Sequence, residues 1–205
     1  MTQGLLVVVS GPSGCGKGTV CDLLRRRHQE MIYSISATTR KPRPSEEDGV
    51  SYFFLTREQF EQRANAGEFL EWAQVYGNLY GTPRTWVEDK LAAGHDVLLE
   101  IDTQGALQVK ASYPAGILIF LLPPDLMELE RRISKRGTES AEEKQRRLSA
   151  ARQEINQIRN YDYLVVNDKI EQAVNKIEAI LMAEHSRISR FSELELKVKL
   201  GGQQT

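Results

Sequence analysis

A chain of 205 residues is the size of one domain with room for small insertions. Hydrophobic residues make up 40% of it and charged residues 27%, which supports a packed core and excludes a disordered chain. The 27 Lys and Arg against 28 Asp and Glu leave a formal net charge of −1, which argues against a surface given over to nucleic acid.

The first four residues carry no basic stretch and no long apolar run, so no export signal is expected. No apolar run approaches the roughly 20 residues of a membrane span, and no membrane partner is expected. Leu5, Leu6, Val7, Val8 and Val9 are apolar on both faces, as buried parallel strands are. Gly11-Pro12-Ser13-Gly14-Cys15-Gly16-Lys17 then fits G-x-x-x-x-G-K, directly after a strand and before a helix. Glycines let such a loop turn its N–H groups inward, and the helix N-terminus adds partial positive charge. Lys17 supplies a point charge for β and γ phosphate oxygens. The competing reading is a tight glycine turn with a surface lysine. Position 18 departs from the motif: Gly18 precedes Thr19, so the hydroxyl that ligates Mg²⁺ is missing at its usual place. Either Thr19 binds phosphate or nucleotide and water hold the metal. Cys15 starts a helix, where a thiol pKa can fall, but the expectation is a small side chain that fits the loop. Residues 17–27 read as a helix with Val20, Leu23 and Leu24 on one face. Cys15 and Cys21, the two cysteines, imply no disulfide framework and fit a reducing cytoplasm.

Residues 33–81 have another character. Residues 33–38 alternate with period two, and Lys41-Pro42-Arg43-Pro44 is extended because each proline restricts its predecessor. Arg40 and Arg43 put two planar forks beside stiff prolines, which suits a phosphate dianion; a solvated basic turn is the alternative. Residues 52–55 are a short strand. Thr56 and Gln59 predict a capping box for a helix ending at Gly67. Residues 68–80 are strand-like, broken at Gly77-Asn78. Glu71 lies within the otherwise apolar Phe69-Leu70-Glu71-Trp72, and taken alone reads as an edge-strand carboxylate facing water. Thr82-Pro83 predicts an N-cap with proline at the first helical position, and Gly94 closes that helix.

Residues 97–101 form another buried strand. Asp102 follows it, where ligands bind in open parallel sheets, and Glu100 shares its face. Either Asp102 holds Mg²⁺ through water or contacts a ligand, or it caps the helix over 104–113. Strands over 117–122 and 163–166, a helix over 126–135 and a long helix over 170–191 complete the alternation of a parallel α/β domain. Between them, residues 135–147 are polar and arginine-rich, with Ser140 and Glu143 placed to cap the next helix. Residues 201–205 are expected to fray. His28, His95 and His185 are scattered in polar surroundings and expected to be exposed.

The loop Gly11-Pro12-Ser13-Gly14-Cys15-Gly16-Lys17-Gly18-Thr19 resembles that of nucleoside monophosphate kinases. Further segments follow in the order of one family: residues 34–43, 49–54, 69–73, 77–82, 100–105, 136–139 and 166–168. Over about residues 4–190 the chain is similar to guanylate kinases. The resemblance implies an α/β fold: a P-loop kinase core with a parallel β-sheet flanked by helices, a small mixed α+β GMP-binding insert and a helical lid. It divides the chain into core (1–32, 83–125 and 148–205), insert (33–82) and lid (126–147). It implies the reaction ATP + GMP ⇌ ADP + GDP with Mg²⁺, and ATP and GMP as small-molecule partners. By the resemblance Gly11, Pro12, Ser13, Gly14, Cys15, Gly16, Lys17, Gly18, Thr19 and Asn167 bind ATP. Arg40, Arg43, Tyr52 and Tyr80 bind the GMP phosphate. Glu71 accepts guanine N1–H and N2–H₂ with help from Ser36 and Thr82, and adenine, with an acceptor at N1, would be repelled. Asp102 serves GMP or the metal. Lys17, Arg132, Arg136 and Arg147 carry catalysis by positioning and charge stabilisation. Two alternatives stand beside this: a non-catalytic protein-interaction module of the same fold, and a kinase with another acceptor.

Overall fold

The computed structural model describes residues 3–75, 77–134, 141–193 and 195–196, with the side chains of 133, 134 and 141–144 also outside the description. A parallel sheet forms the centre, in the order β2 (Ile32–Tyr33), β7 (Val97–Glu100), β1 (Leu6–Ser10), β8 (Ile117–Leu122) and β9 (Tyr163–Val166). β1 is buried throughout because both faces of the sheet are covered by helices, which is why its residues are all apolar up to Ser10. On one face α1 (Lys17–Arg27) and α7 (Ile170–His185) bury Val20, Leu24, Val174, Ile177 and Leu181. On the other, α3 (Arg84–Ala92) and α4 (Thr103–Ser112) bury Val87, Leu91, Ala106 and Val109. β1 lies between β7 and β8, so the loop that follows it emerges at the carboxyl edge, where ligand crevices form.

A second, four-stranded sheet runs β4 (Phe53–Phe54), β3 (Ala37–Thr38), β6 (Asn78–Pro83) and β5 (Phe69–Val75). Only the β3–β4 pair is parallel; β3–β6 and β5–β6 are antiparallel. With α2 (Arg57–Asn65) this sheet encloses its own small cluster: Ala37, Phe60, Phe69 and Leu79. The capping box is present: Thr56 Oγ1 accepts the Gln59 N–H and Gln59 Oε1 accepts the Thr56 N–H. α4 closes the open edge of β5. The Gln108 amide bonds both the N–H (3.1 Å) and the carbonyl (3.2 Å) of Trp72, and Ser112 donates to the Leu70 carbonyl. Side chains there do what another strand would do, and they tie the two sheets together. α5 (Leu126–Ser134) and α6 (Ala141–Ile155) pair through Leu129 and Ala151.

The structure corrects three local expectations. Residues 33–38 are not one strand: Tyr33 pairs with Leu98 in the central sheet while Ala37 and Thr38 belong to the second. Thr82 does not cap α3. It lies within β6 opposite Glu71, its hydroxyl bonds that carboxylate, and Pro83 holds the cap position with no side-chain bond. The last long helix ends at His185 with Ser186 as its cap, and a single 3₁₀ turn, Ile188–Arg190, follows. Arg136, Ser140 and residues 201–205 lie outside the described residues, as does the side chain of Glu143. Among the described residues no helix is long and apolar enough to cross a membrane.

Candidate active site

The loop after β1 encloses a cavity of about 300 Å³, walled by Ser13, Gly14, Gly16, Lys17, Gly18, Thr19, Glu100 and Arg132. Gly16 has φ +92°, and a Cβ there would lie 2.5 Å from Asn167 Nδ2, so conformation and space both demand glycine. Lys17 Nζ bonds the carbonyls of Gly11 (2.6 Å) and Pro12 (3.4 Å), which keeps the ammonium folded onto the loop. The loop is gripped from three sides. Asn167, buried at the end of β9, donates to the Cys15 carbonyl (2.8 Å). Arg132 of α5 donates to the carbonyls of Cys15 and Asn167. From α6, Arg147 donates to Ser13 Oγ (2.9 Å) and Glu154 accepts the Ser13 N–H (3.1 Å). The Cys15 thiol is buried, and that burial raises its pKa, so it packs as the small side chain expected of it.

A second cavity, about 130 Å³, lies between the two sheets and is lined by Tyr33, Ser34, Ser36, Ser51, Tyr52, Thr82 and Glu100, with Leu99 and Ile101 at its base. Glu100 at the end of β7 therefore walls both cavities. Beside the second one, Arg40 lies 5.4 Å from the centre of the Tyr52 ring, and the Tyr52 and Tyr80 rings meet edge to face at 6.2 Å. Arg40 is held by Glu46 (2.8 Å), whose other oxygen accepts the Arg43 N–H; the Arg43 side chain is exposed.

Glu71 is not the exposed edge carboxylate that its strand alone predicts. It is buried, because β6 covers one side of it and the first turn of α4 the other. Thr82 Oγ1 donates to it at 2.6 Å. Burial pushes its pKa up to about 7; the Thr82 hydrogen bond opposes that rise and the Asp102 charge adds to it. Asp102 accepts the Gly105 N–H at 2.8 Å and so caps α4. It lines a different cavity, of about 400 Å³, together with Glu154. The carboxylate that reaches the phosphate cavity is Glu100, not Asp102.

The structure thus sets Lys17 and Arg132 in the wall of one cavity, with Arg147 and Asn167 bonded to its loop through Ser13 and Cys15, and Ser36, Tyr52 and Thr82 at the other, with Glu71, Tyr80 and Arg40 adjoining the latter. Arg136 lies outside the described residues. Glu46, Tyr33 and Glu154 are contributions that motif reading does not single out. Each is a charged or polar residue in a segment whose pattern fits a solvated surface equally well. Of the histidines, His95 and His185 are exposed and His28 is half-buried, and His28 and His185 pair with carboxylates away from both cavities. Among the described residues no cluster of three or more metal-ligating side chains occurs.

Comparison with known proteins agrees with this arrangement. A family model described as guanylate kinase matches residues 3–184. The chain is 51% identical over 197 residues to a guanylate kinase of Caldanaerobacter subterraneus subsp. tengcongensis, covering 96% of each chain. It is 53% identical over 197 residues to one of Clostridium perfringens, covering 96% of this chain and 91% of that one. The crystal structure of guanylate kinase from Anaplasma phagocytophilum superposes with a TM-score of 0.75 at 34% identity, covering 100% of this chain and 98% of the other. With a phosphate loop, a parallel core and a second sheet folded over one shared carboxylate, the chain belongs to the guanylate kinase family.

Proposed function

We propose that the molecule transfers the γ-phosphoryl group of ATP to GMP, giving ADP and GDP, without a covalent enzyme intermediate. The observation that carries this is Glu100: one side chain walls both the phosphate cavity and the cavity of Ser36, Tyr52 and Thr82, so donor and acceptor sites adjoin. Adjoining sites are what direct transfer needs. A GMP phosphate oxygen attacks the γ-phosphorus in line, the bond to the β–γ bridging oxygen breaks, and ADP leaves with that electron pair. The catalytic work is positioning, charge neutralisation and exclusion of water.

We assign residue roles as follows, with their placement as support. The loop from Gly11 to Thr19 cradles the ATP phosphates, and Lys17 exchanges its own loop carbonyls for phosphate oxygens. Arg132 lines the same cavity and is bonded to the loop through Cys15, Arg147 is bonded to the loop through Ser13, and both stabilise charge on the transferring group. Arg136 joins them by the family pattern alone. Asn167 has a buried Oδ1 without a hydrogen-bond partner, suited to accept from the adenine amine. Arg40, Arg43, Tyr52 and Tyr80 hold the GMP phosphate; Glu71, Ser36 and Thr82 read guanine; Asp102 supports Glu71 from the α4 cap. We assign the second sheet with α2 to the GMP-binding insert and the α5–α6 pair to the lid; Tyr33 stays with the central sheet, and α6 runs on past residue 147.

The donor set at the phosphate cavity fits Mg²⁺. Glu100 offers a hard carboxylate oxygen, and Gly18 offers no competing side chain, so nucleotide and water supply the remaining ligands. When bound, the ion neutralises charge across the β and γ phosphates. A cytoplasmic location accords with two buried, unbridged cysteines.

The deciding experiment is ADP release from ATP and Mg²⁺ with GMP, AMP, UMP and CMP offered in parallel. Turnover confined to GMP is expected. Turnover with another nucleotide would discard the guanine reading, and none at all would favour a binding module. Lys17→Met should lower kcat by orders of magnitude while GMP still binds, since Lys17 acts on ATP phosphates; normal turnover would remove Lys17 from the site.

A further inference from the structure

Glu100 is the residue on which the two cavities meet, and its carboxylate is not free to rotate. Tyr33, in the edge strand β2 of the central sheet, donates its hydroxyl to Glu100 Oε2 at 3.0 Å. The other oxygen, Oε1, faces the phosphate loop: it lies 3.5 Å from where a Cβ at Gly18 would stand, closer than Oε2 at 3.9 Å. Tyr33 is itself fixed. Its ring packs on the core cluster beneath α1, and the Arg25 guanidinium lies 4.4 Å from the ring centre on its outer side.

This arrangement coincides with the one defect in the loop motif. The usual hydroxyl after the lysine is missing at Gly18, and a fixed carboxylate oxygen lies beside the vacant position. We propose that Tyr33 is a positioning residue for metal–nucleotide binding, tying down one oxygen of Glu100 so that the other is presented over Gly18 to the metal's shell. The proposal rests on the kinase reading above and deepens it. Partners that orient a metal-binding carboxylate typically change metal affinity by about 10–100-fold when removed, without touching the metal.

The test uses the full chain, ADP and Mn²⁺ as a paramagnetic stand-in for Mg²⁺, with bound Mn²⁺ read by electron paramagnetic resonance. Tyr33→Phe keeps the ring and its packing and removes only the hydroxyl. It should weaken Mn²⁺ binding to the ADP complex by about 10-fold. ADP affinity in the presence of EDTA and the melting temperature should stay close to wild type. In a Glu100→Gln background the same substitution should have little further effect, because Tyr33 acts through that carboxylate. Unchanged Mn²⁺ affinity in Tyr33→Phe would overturn the proposal, as would full additivity with Glu100→Gln. A parallel loss of metal-free ADP affinity and melting temperature would also overturn it, by showing a structural role. A wild-type chain that binds no ADP would instead sink the kinase reading itself, so the two failures are distinguishable.

Discussion

Glu71 has a burden that the Thr82 hydrogen bond relieves only in part. Burial holds its pKa near 7, yet the carboxylate form is the one able to accept two donors from guanine. With the proposed role of Glu71 in reading guanine, GMP binding below pH 7 expels a proton. Apparent GMP affinity should rise with pH up to about 8 and be roughly 10-fold weaker at pH 6. GMP's own phosphate titrates in this range, so the measurement is calorimetric titration of wild type beside Glu71→Gln. Only the part absent from the variant belongs to Glu71. Stability follows with the opposite sign. The folded pKa, about 7, exceeds the ordinary 4.5, so the folded state favours the proton. That contribution is whole below pH 4.5 and is lost as pH rises through 7, at a cost of about 3 kcal/mol. Glu71→Gln removes the ionisation, so the unliganded variant should melt close to wild type at pH 5 and several degrees higher at pH 8. Equal melting at pH 8 would mean that the buried carboxylate ionises without penalty.

At the scale of elements, the first turn of α4 determines where Glu71 can sit. Gly105 receives the Asp102 cap on its N–H, and a Cβ on it would lie 2.9 Å from Glu71 Oε2. Alanine favours a helix over glycine by about 1 kcal/mol, which offsets part of the cost of displacing buried Glu71, so Gly105→Ala should lower the melting temperature by no more than a few degrees. It should also push Glu71 off Thr82 and raise the KM for GMP at least 10-fold with little change in the KM for ATP. Unaltered GMP kinetics would show that the strand yields instead. The same junction explains what the amino-acid sequence makes legible. The loop from Gly11 to Lys17, the capping box at Thr56 and the apolar strands announce themselves, because spacing and composition act locally. Thr82 and Asp102 show the limit. Both look like helix caps from local pattern; Asp102 is one, while Thr82 gives its hydroxyl to Glu71, eleven residues away in sequence and opposite in the sheet. Glu154 is illegible for the same reason, since its partner Ser13 is 141 residues distant. Motif order locates the site, whereas contacts across elements decide which carboxylate faces which cavity.

The molecule as a whole is built on separate apolar clusters, and this separates its two binding tasks. The central sheet buries its helices on both faces, whereas the second sheet relies on the small cluster of Ala37, Phe60, Phe69 and Leu79, with Phe53, Leu55 and Ala64 packed against it. Phe60 is fully buried there and stacks on Phe69 at 4.4 Å between ring centres. Deleting a buried phenylalanine side chain costs about 3–5 kcal/mol, more than so small a cluster is placed to withstand. Phe60→Ala should therefore loosen the second sheet, with Arg40, Tyr52 and Glu71, and leave the phosphate loop in place. Hydrogen exchange should quicken over residues 37–83 while β1 and β8 stay protected. GMP binding should fall by at least 100-fold and ADP binding by less than about threefold. Val8→Ala, in the middle of β1, is the converse case and should weaken both ligands together. If Phe60→Ala weakened ADP as much as GMP, the two clusters would be one cooperative unit and the α4–β5 junction its coupling. Selective loss of GMP would show that junction to be a tether, one that lets the acceptor side move while the phosphate side stays fixed.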